Sequence, residues 1–406
     1  MTAEAPKQLG FKEVMADPRL RRLCTSQFVS MFGDFLAIYA ILSVVSFRMQ
    51  AGAGEVAGVL IAYILPMAVV SPLAGVFADR WNVRTTMIVS DLLRAVLVLA
   101  LLYSTAVWHI YAVLIALSAI SSFFMPSQTI AIRSIVPKEG LMAANGIMMQ
   151  IMQVTQIASP ALAGVLIKLV GENSCFWLDS ASFLASAGIV ASLTIQRAGA
   201  PPKNAASIVT DLTAGVRYIF THSTLAFTVV SMAAGLFAIR CYSALIAVYV
   251  RDILHLAQGW FGALGTLVGA GMIAGTQVVN KLSKTRSMAY VMMGGLAGIA
   301  VGVLGIALVS NVVLASIATF EIGVSVALVV ISAQTLMQGQ TPIEMLGRVS
   351  SSLMSVMALA QVAGLALSGS VAQIVGIRNA YVLTSVLLAG IAITGFAVLK
   401  KRQASA

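Results

Sequence analysis

Apolar residues fall in long blocks along this chain, unbroken by any polar face and separated by short polar turns. Twelve blocks are distinguishable, at 23–47, 56–78, 86–106, 108–131, 141–168, 175–195, 225–250, 257–279, 288–309, 311–337, 347–374 and 379–399. A helix needs about 20 predominantly apolar residues to cross a bilayer, so each block predicts a spanning helix. Strands of a membrane barrel alternate polar and apolar positions, and these blocks do not. The longest interruption, 196–224, opens with Arg197-Ala-Gly-Ala-Pro201-Pro202-Lys203 and divides the blocks six and six. We therefore expect one six-helix bundle over 1–195, a linker over 196–224 and a second bundle over 225–406. Within the linker, Ile208, Leu212, Val216, Ile219 and Phe220 recur at helical spacing, opposite Asp211 and Arg217. This pattern predicts an amphipathic helix, lying either on the membrane surface or against the cytoplasmic face of the bundle itself.

The halves repeat. A shift of 205 residues carries Pro137, Glu139 and Leu141 onto Pro342, Glu344 and Leu346. It also carries Leu162, Gly164 and Gly171 onto Leu367, Gly369 and Gly376. Two parallel halves related by an axis along the membrane normal are a recognised transporter architecture. The expected fold class is an all-α membrane protein with twelve transmembrane helices in two pseudo-symmetric six-helix bundles.

Composition excludes the main competitors. Of the 406 residues 59% are hydrophobic and only 10% charged, with mean hydropathy +0.97. A soluble enzyme of this length could not cover its surface with so few charges. The net charge of +11 would suggest nucleic acid in a soluble protein, but its placement indicates topology instead. With both termini cytoplasmic, only Arg48, Lys168, Arg251 and Arg378 fall on the outer side, and Arg94 and Arg240 fall inside spans. The remaining Lys and Arg are cytoplasmic, as the positive-inside rule requires. The polar stretch before the first long block does not resemble a cleavable signal. We expect a multi-pass protein of a bacterial inner membrane, monomeric, in contact with anionic lipid and not with nucleic acid.

Cys24, Cys175 and Cys241 are dispersed and form no CxxC pair, and His109, His222 and His255 are equally scattered. No metal site, disulfide framework or cofactor is expected. There is no HExxH motif and no phosphate-binding Gly-x-x-x-x-Gly-Lys-Ser/Thr loop, so neither an enzyme nor an ATP-driven pump is predicted. The glycines at 265, 269, 271 and 275 lie inside an apolar block and predict close helix packing.

The turn after the second block reads Gly75-Val-Phe-Ala-Asp79-Arg80-Trp-Asn82-Val83-Arg84. It resembles the signature loop of the major facilitator superfamily. The third block opens Ser90-Asp91-Leu-Leu-Arg94, with Asp91 and Arg94 on one helix face. Together with Gly33-Asp34, Phe124-Met125-Pro126, Val136-Pro137 and Ala144-Asn145, the first half is similar to the macrolide-efflux-like drug:proton antiporters of that superfamily. In the second half the likeness rests on span count and Gly347-Arg348-Val349. Asn82 stands where the superfamily usually has Gly, and Val83 where a second basic residue is usual.

The resemblance implies a cytoplasmic gate built from Gly75, Asp79, Arg80, Arg84, Asp91, Arg94 and Arg348. Asp79 would accept hydrogen bonds from the helix start near Arg348. It also implies that spans 1, 4, 7 and 10 line a central cavity. Asp34, Arg240 and Glu321 sit near mid-depth on three of these, and buried ionisable groups in a membrane normally mark function. Gln27 and Ser30 share a face with Asp34, and Gln153 lies among Met148, Met149 and Met152 on span 5. We expect Asp34 to carry protons, Glu321 to carry protons or touch substrate, and Arg240 to be the counter-charge. Asp179 is read as a helix-end cap or interface residue. Flexible, polarisable Met side chains suit amphipathic ligands of varied shape, though they also fill apolar cores. The function expected is proton-coupled export of amphipathic small organic molecules by alternating access. The alternatives are a dedicated carrier of one solute (siderophore, lysolipid or metal ion) and a non-transporting receptor.

Overall fold

The computed structural model describes residues 9–78, 81–195 and 205–404. Among these, twelve helices are long and apolar enough to cross a membrane. A short α1 (Phe11–Met15) leads into α2 (Pro18–Ser43), α3 (Ala53–Ala78), α4 (Val83–Leu99), α5 (Val107–Ile135), α6 (Leu141–Val170) and α7 (Asn173–Ala191). Then come α8 (Ala205–Thr221) and the second six: α9 (Ser223–Asp252), α10 (Gly259–Leu282), α11 (Met288–Leu308), α12 (Val312–Gln340), α13 (Ile343–Val375) and α14 (Ile377–Ala404). The first spanning helix starts earlier than hydropathy suggests. Leu20 and Leu23 are buried while Arg19, Arg21 and Arg22 point outward, so its first turns are helical but amphipathic. α8 forms where the linker pattern predicts a helix, with Ile219 buried and Phe220 exposed.

The repeat of 205 residues extends well beyond the motif that revealed it. Val83 and Met288 start α4 and α11; α5 and α12 run over Val107–Ile135 and Val312–Gln340; α6 and α13 end at Val170 and Val375. Gly171 and Gly376 follow with φ of 88° and 86°, a left-handed region that favours glycine. Their amides bond back to Ile167 and Ala372, again 205 apart, ending each helix in the same way. Tertiary bonds repeat too: Ser180 Oγ donates to the Ala95 carbonyl at 2.8 Å, and Ser385 Oγ to the Ala300 carbonyl at 2.7 Å.

Two compact units form. One comprises Met1–Ile41 and Leu65–Ala205, the other Leu42–Ile64 and Ala206–Ala406. In the second unit α10 crosses α12 through glycine. A Cβ on Gly271 would meet the Phe320 carbonyl, and one on Gly275 the Val324 backbone. The glycine-rich block is thus a helix crossing, as its setting predicted.

The hairpin Leu42–Ile64 packs within the second unit by similar means. Gly369 of α13 approaches Gly54 and Ala57 of α3, and Gln373 fills the space over Gly54. Before α3, a π-helical turn over Val44–Arg48 and Gln50 at φ 54° reverse the chain. Arg251 at the end of α9 donates from Nη1 to the carbonyls of Ser46 and Ala51, the latter at 3.0 Å. Its other nitrogens pair with Asp252.

Candidate functional site

The first unit holds a charged cluster inside otherwise apolar helices. Arg94 of α4 is nearly sealed, its side chain 4% exposed. It bonds to Asp91 one turn earlier and lies 3.6 Å from Asp34 of α2. Asp91 is fully buried, whereas the Asp34 side chain keeps 28% of its surface. Two rings fix the guanidinium: its carbon lies 4.8 Å from the Phe124 centroid and 4.3 Å from that of Phe183. Facing rings attract a cation through their quadrupoles, and more strongly without water. The Arg94–Asp91 pair is therefore tight. The Arg94–Asp34 pair is longer than a hydrogen bond and open on one side.

Asp179 of α7 joins this cluster. Its carboxylate accepts from Ser182 Oγ at 3.4 Å and packs against Gly33, where a Cβ would collide with Asp179 Oδ1 and Ser182 Oγ. Glycine next to Asp34 is thus what admits the acid from α7. Asp179 sits inside α7, 2% exposed; of the two roles expected of it, helix-end cap or interface residue, its packing against Gly33 is that of an interface residue. Sequence reading missed its association with Asp34. The available signal was the repeat, which places Thr384 at the equivalent position and so marks the acid as dispensable for packing.

Other expected members are differently placed. Gln27 and Ser30 are buried on α2, and Gln27 Oε1 has no hydrogen-bond partner among the described residues. Gln153 on α6 is exposed, beside exposed Met149 and Met152. Arg240 donates from Nε to Gln361 Oε1 at 2.8 Å, tying α9 to α13. Glu321 on α12 accepts from Ser325 Oγ at 2.6 Å. Its carboxylate fills the space over Gly298 and Gly302 of α11.

Of the expected gate, Asp79 and Arg80 lie outside the described residues, as do the side chain of Arg348 and the surroundings of Gly75. Arg84 donates to the Ala191 carbonyl, and Arg22 to that of Ser192 at 3.4 Å. Both cations thereby satisfy free carbonyls at the C-terminus of α7. Asn82 does not enter the left-handed region. With φ −72° it is the N-cap of α4, its side chain accepting from the Thr85 amide at 3.1 Å. A capping side chain rewards extended backbone there, so no glycine is needed.

Comparisons with known proteins agree with this architecture. Residues 23–365 match the family Major Facilitator Superfamily. The uncharacterized MFS-type transporter YfiS of Bacillus subtilis (strain 168) is 27% identical over 91% of this chain and 90% of its own length. Macrolide efflux protein A of Streptococcus pyogenes is 23% identical over 81% and 83%. A crystal structure of the nucleoside transporter NupG superposes with a TM-score of 0.73 at 11% identity, covering 94% of this chain and 99% of that one. With twelve spanning helices in two pseudo-symmetric sets of six, and a family match over most of its length, the chain belongs to the major facilitator superfamily.

Proposed function

We propose that this transporter is a proton-coupled exporter of amphipathic small organic molecules, working by alternating access. The observation that carries the reading is the open side of the Asp34–Arg94 pair. A carboxylate that is partly accessible and only loosely met by a guanidinium can exchange that cation for a proton. Arg94 is kept in place by Asp91 and two rings, so only Asp34 has to change partners. The exposed Met149, Met152 and Gln153 of α6 offer soft apolar surface with a polar group, which suits ligands of varied shape. The likeness to macrolide efflux protein A of Streptococcus pyogenes supports efflux. We assign Arg240 with Gln361, and Glu321, to the second unit's share of substrate recognition, and the signature turn with Arg348 to the cytoplasmic gate. Termini on the cytoplasmic side of a bacterial inner membrane place the Leu42–Ile64 hairpin outside.

The test is flux in proteoliposomes with an imposed pH gradient and an internal pH dye, using ethidium and erythromycin as probes. Wild type should accumulate at least one probe against its gradient, with matching proton movement. Asp34→Asn should abolish gradient-driven accumulation, a loss of about 100-fold within the range typical of coupled sites, while gradient-free exchange persists. Glu321→Gln should retain coupling, because glutamine can keep the bond from Ser325. Probe flux without proton movement, unchanged in Asp34→Asn, would overturn antiport.

A further inference from the structure

The second half of the chain is an internal control for the first. At the positions 205 residues after Asp34, Asp91, Arg94 and Asp179 stand Ile239, Leu296, Ile299 and Thr384. After Phe124 and Phe183 stand Val329 and Leu388, and after Gly33 stands Ala238. The starts of α4 and α11, both ends of α5 and α12, the ends of α6 and α13, the glycine stops and the serine-to-carbonyl bond between α7 and α4 all recur at the same shift. Leu296, Ile299, Val329 and Leu388 are all at most 1% exposed, so the fold closes this spot without any charge. The four charged residues of the first half are therefore not required for packing. Where the acid on α7 is absent, alanine replaces the glycine that made room for it.

Within the cluster, three carboxylates surround one guanidinium, whose described ion pairs go to Asp91 and Asp34. Asp91 takes the bond from Arg94, and Asp34 faces the same guanidinium at 3.6 Å. Asp179 is sealed, packs against Gly33 next to Asp34, and accepts a long bond from Ser182 at 3.4 Å. Two neighbouring carboxylates that share one guanidinium already paired with a third, Asp91, do not both stay ionised away from water. Two further polar atoms of the cluster, Asp91 Oδ2 and Arg94 Nε, are buried with no hydrogen-bond partner among the described residues. The facing charged groups come from α2 (Asp34), α4 (Asp91 and Arg94) and α7 (Asp179), and α5 contributes the Phe124 ring.

We propose that Asp179 is a second proton-binding carboxyl of this site, sharing one proton with Asp34. When Asp34 turns onto the fixed Arg94, its proton passes to the Asp179 carboxylate, leaving Asp34 ionised against the guanidinium. When Asp34 turns away from Arg94, the proton returns to Asp34 and from there reaches water. Asp34 is the accessible port and Asp179 the sealed store. The proposal rests on the transport reading for its purpose but not for its chemistry.

Two measurements separate these. The first is the infrared difference spectrum of purified protein between acidic and alkaline buffer. Wild type should show a protonated-carboxyl band that Asp179→Asn removes or shifts, and Asp179→Glu should restore one. Asp179→Thr copies the second half and guards against a variant that merely misfolds. A spectrum identical to wild type in both Asp179→Asn and Asp179→Thr would overturn the proposal. The second is ethidium accumulation driven by a pH gradient. It should fall about tenfold or more in Asp179→Asn while ethidium exchange without a gradient is kept. Accumulation and pH profile unchanged from wild type would likewise overturn the role. If wild type accumulates ethidium without regard to the gradient, the transport reading fails, and the infrared bands still decide whether Asp179 and Asp34 share a proton.

Discussion

Arg94→Ile destabilises the first unit by about 3–5 kcal/mol, the usual cost of removing one partner from a buried ion pair. For a unit of this size that is a fall of roughly 10 °C in Tm. Asp91 would be left fully buried without its cation, and the Phe124 and Phe183 rings would lose the guanidinium between them. The informative comparison is the double variant Asp91→Leu with Arg94→Ile, which copies Leu296 and Ile299. These two are buried at the equivalent place in the second half, so their volumes suit the helix spacing. Replacing a buried pair by well-packed apolar residues is often neutral or stabilising. The double variant should therefore recover most of the lost Tm in mild detergent while failing to couple protons. A single variant as stable as wild type would show that the pair is not structurally closed. A double variant no better than Arg94→Ile would show that the halves are not interchangeable at this spot.

How much of this was legible in the sequence depended on distance along the chain. The spans were legible because burial in lipid demands apolar side chains on every face. The pairing of Asp91 with Arg94 was legible because residues three apart share a helix face. The partner of Asp34 was not. Depth and charge suggested Arg240, but contact between α2 and α4 is set by how helices cross, and linear order carries no record of it. Asp179 was hidden for the same reason, and its counterpart Thr384 becomes meaningful only once the repeat is followed through the whole half. Glu321 shows a third limit. Nothing in the linear order shows that its carboxylate occupies the space over Gly298 and Gly302 of α11.

The same limit applies to Arg251, which the sequence places only as an outer charge. Arg251→Ala should release the Leu42–Ile64 hairpin from α9. The Ser46 carbonyl lies in the π-helical turn and that of Ala51 just after the left-handed Gln50, so the arginine satisfies acceptors that the reversing chain leaves free. Hydrogen bonds to a charged group contribute about 1.5–3 kcal/mol each. Losing both would raise the open population at least about 100-fold, since each 1.4 kcal/mol is a factor of ten. Ala57 is a sensitive reporter, being 2% exposed and directly beneath Gly369. In a background with Cys24, Cys175 and Cys241 replaced by alanine, Ala57→Cys should resist a membrane-impermeant maleimide added from outside. The same cysteine should react about 100-fold faster with Arg251→Ala, in proportion to the open population when opening is fast. Arg251→Lys should fall between, because an ammonium cannot hold two carbonyls and Asp252 in one planar arrangement. If transport requires this hairpin to leave α9 and α13, Arg251→Ala should also lower the affinity for probe bound from the cytoplasmic side, because that site then spends less time formed. Equal maleimide rates with and without the arginine would mean that glycine packing at Gly54 and Gly369 alone holds the hairpin.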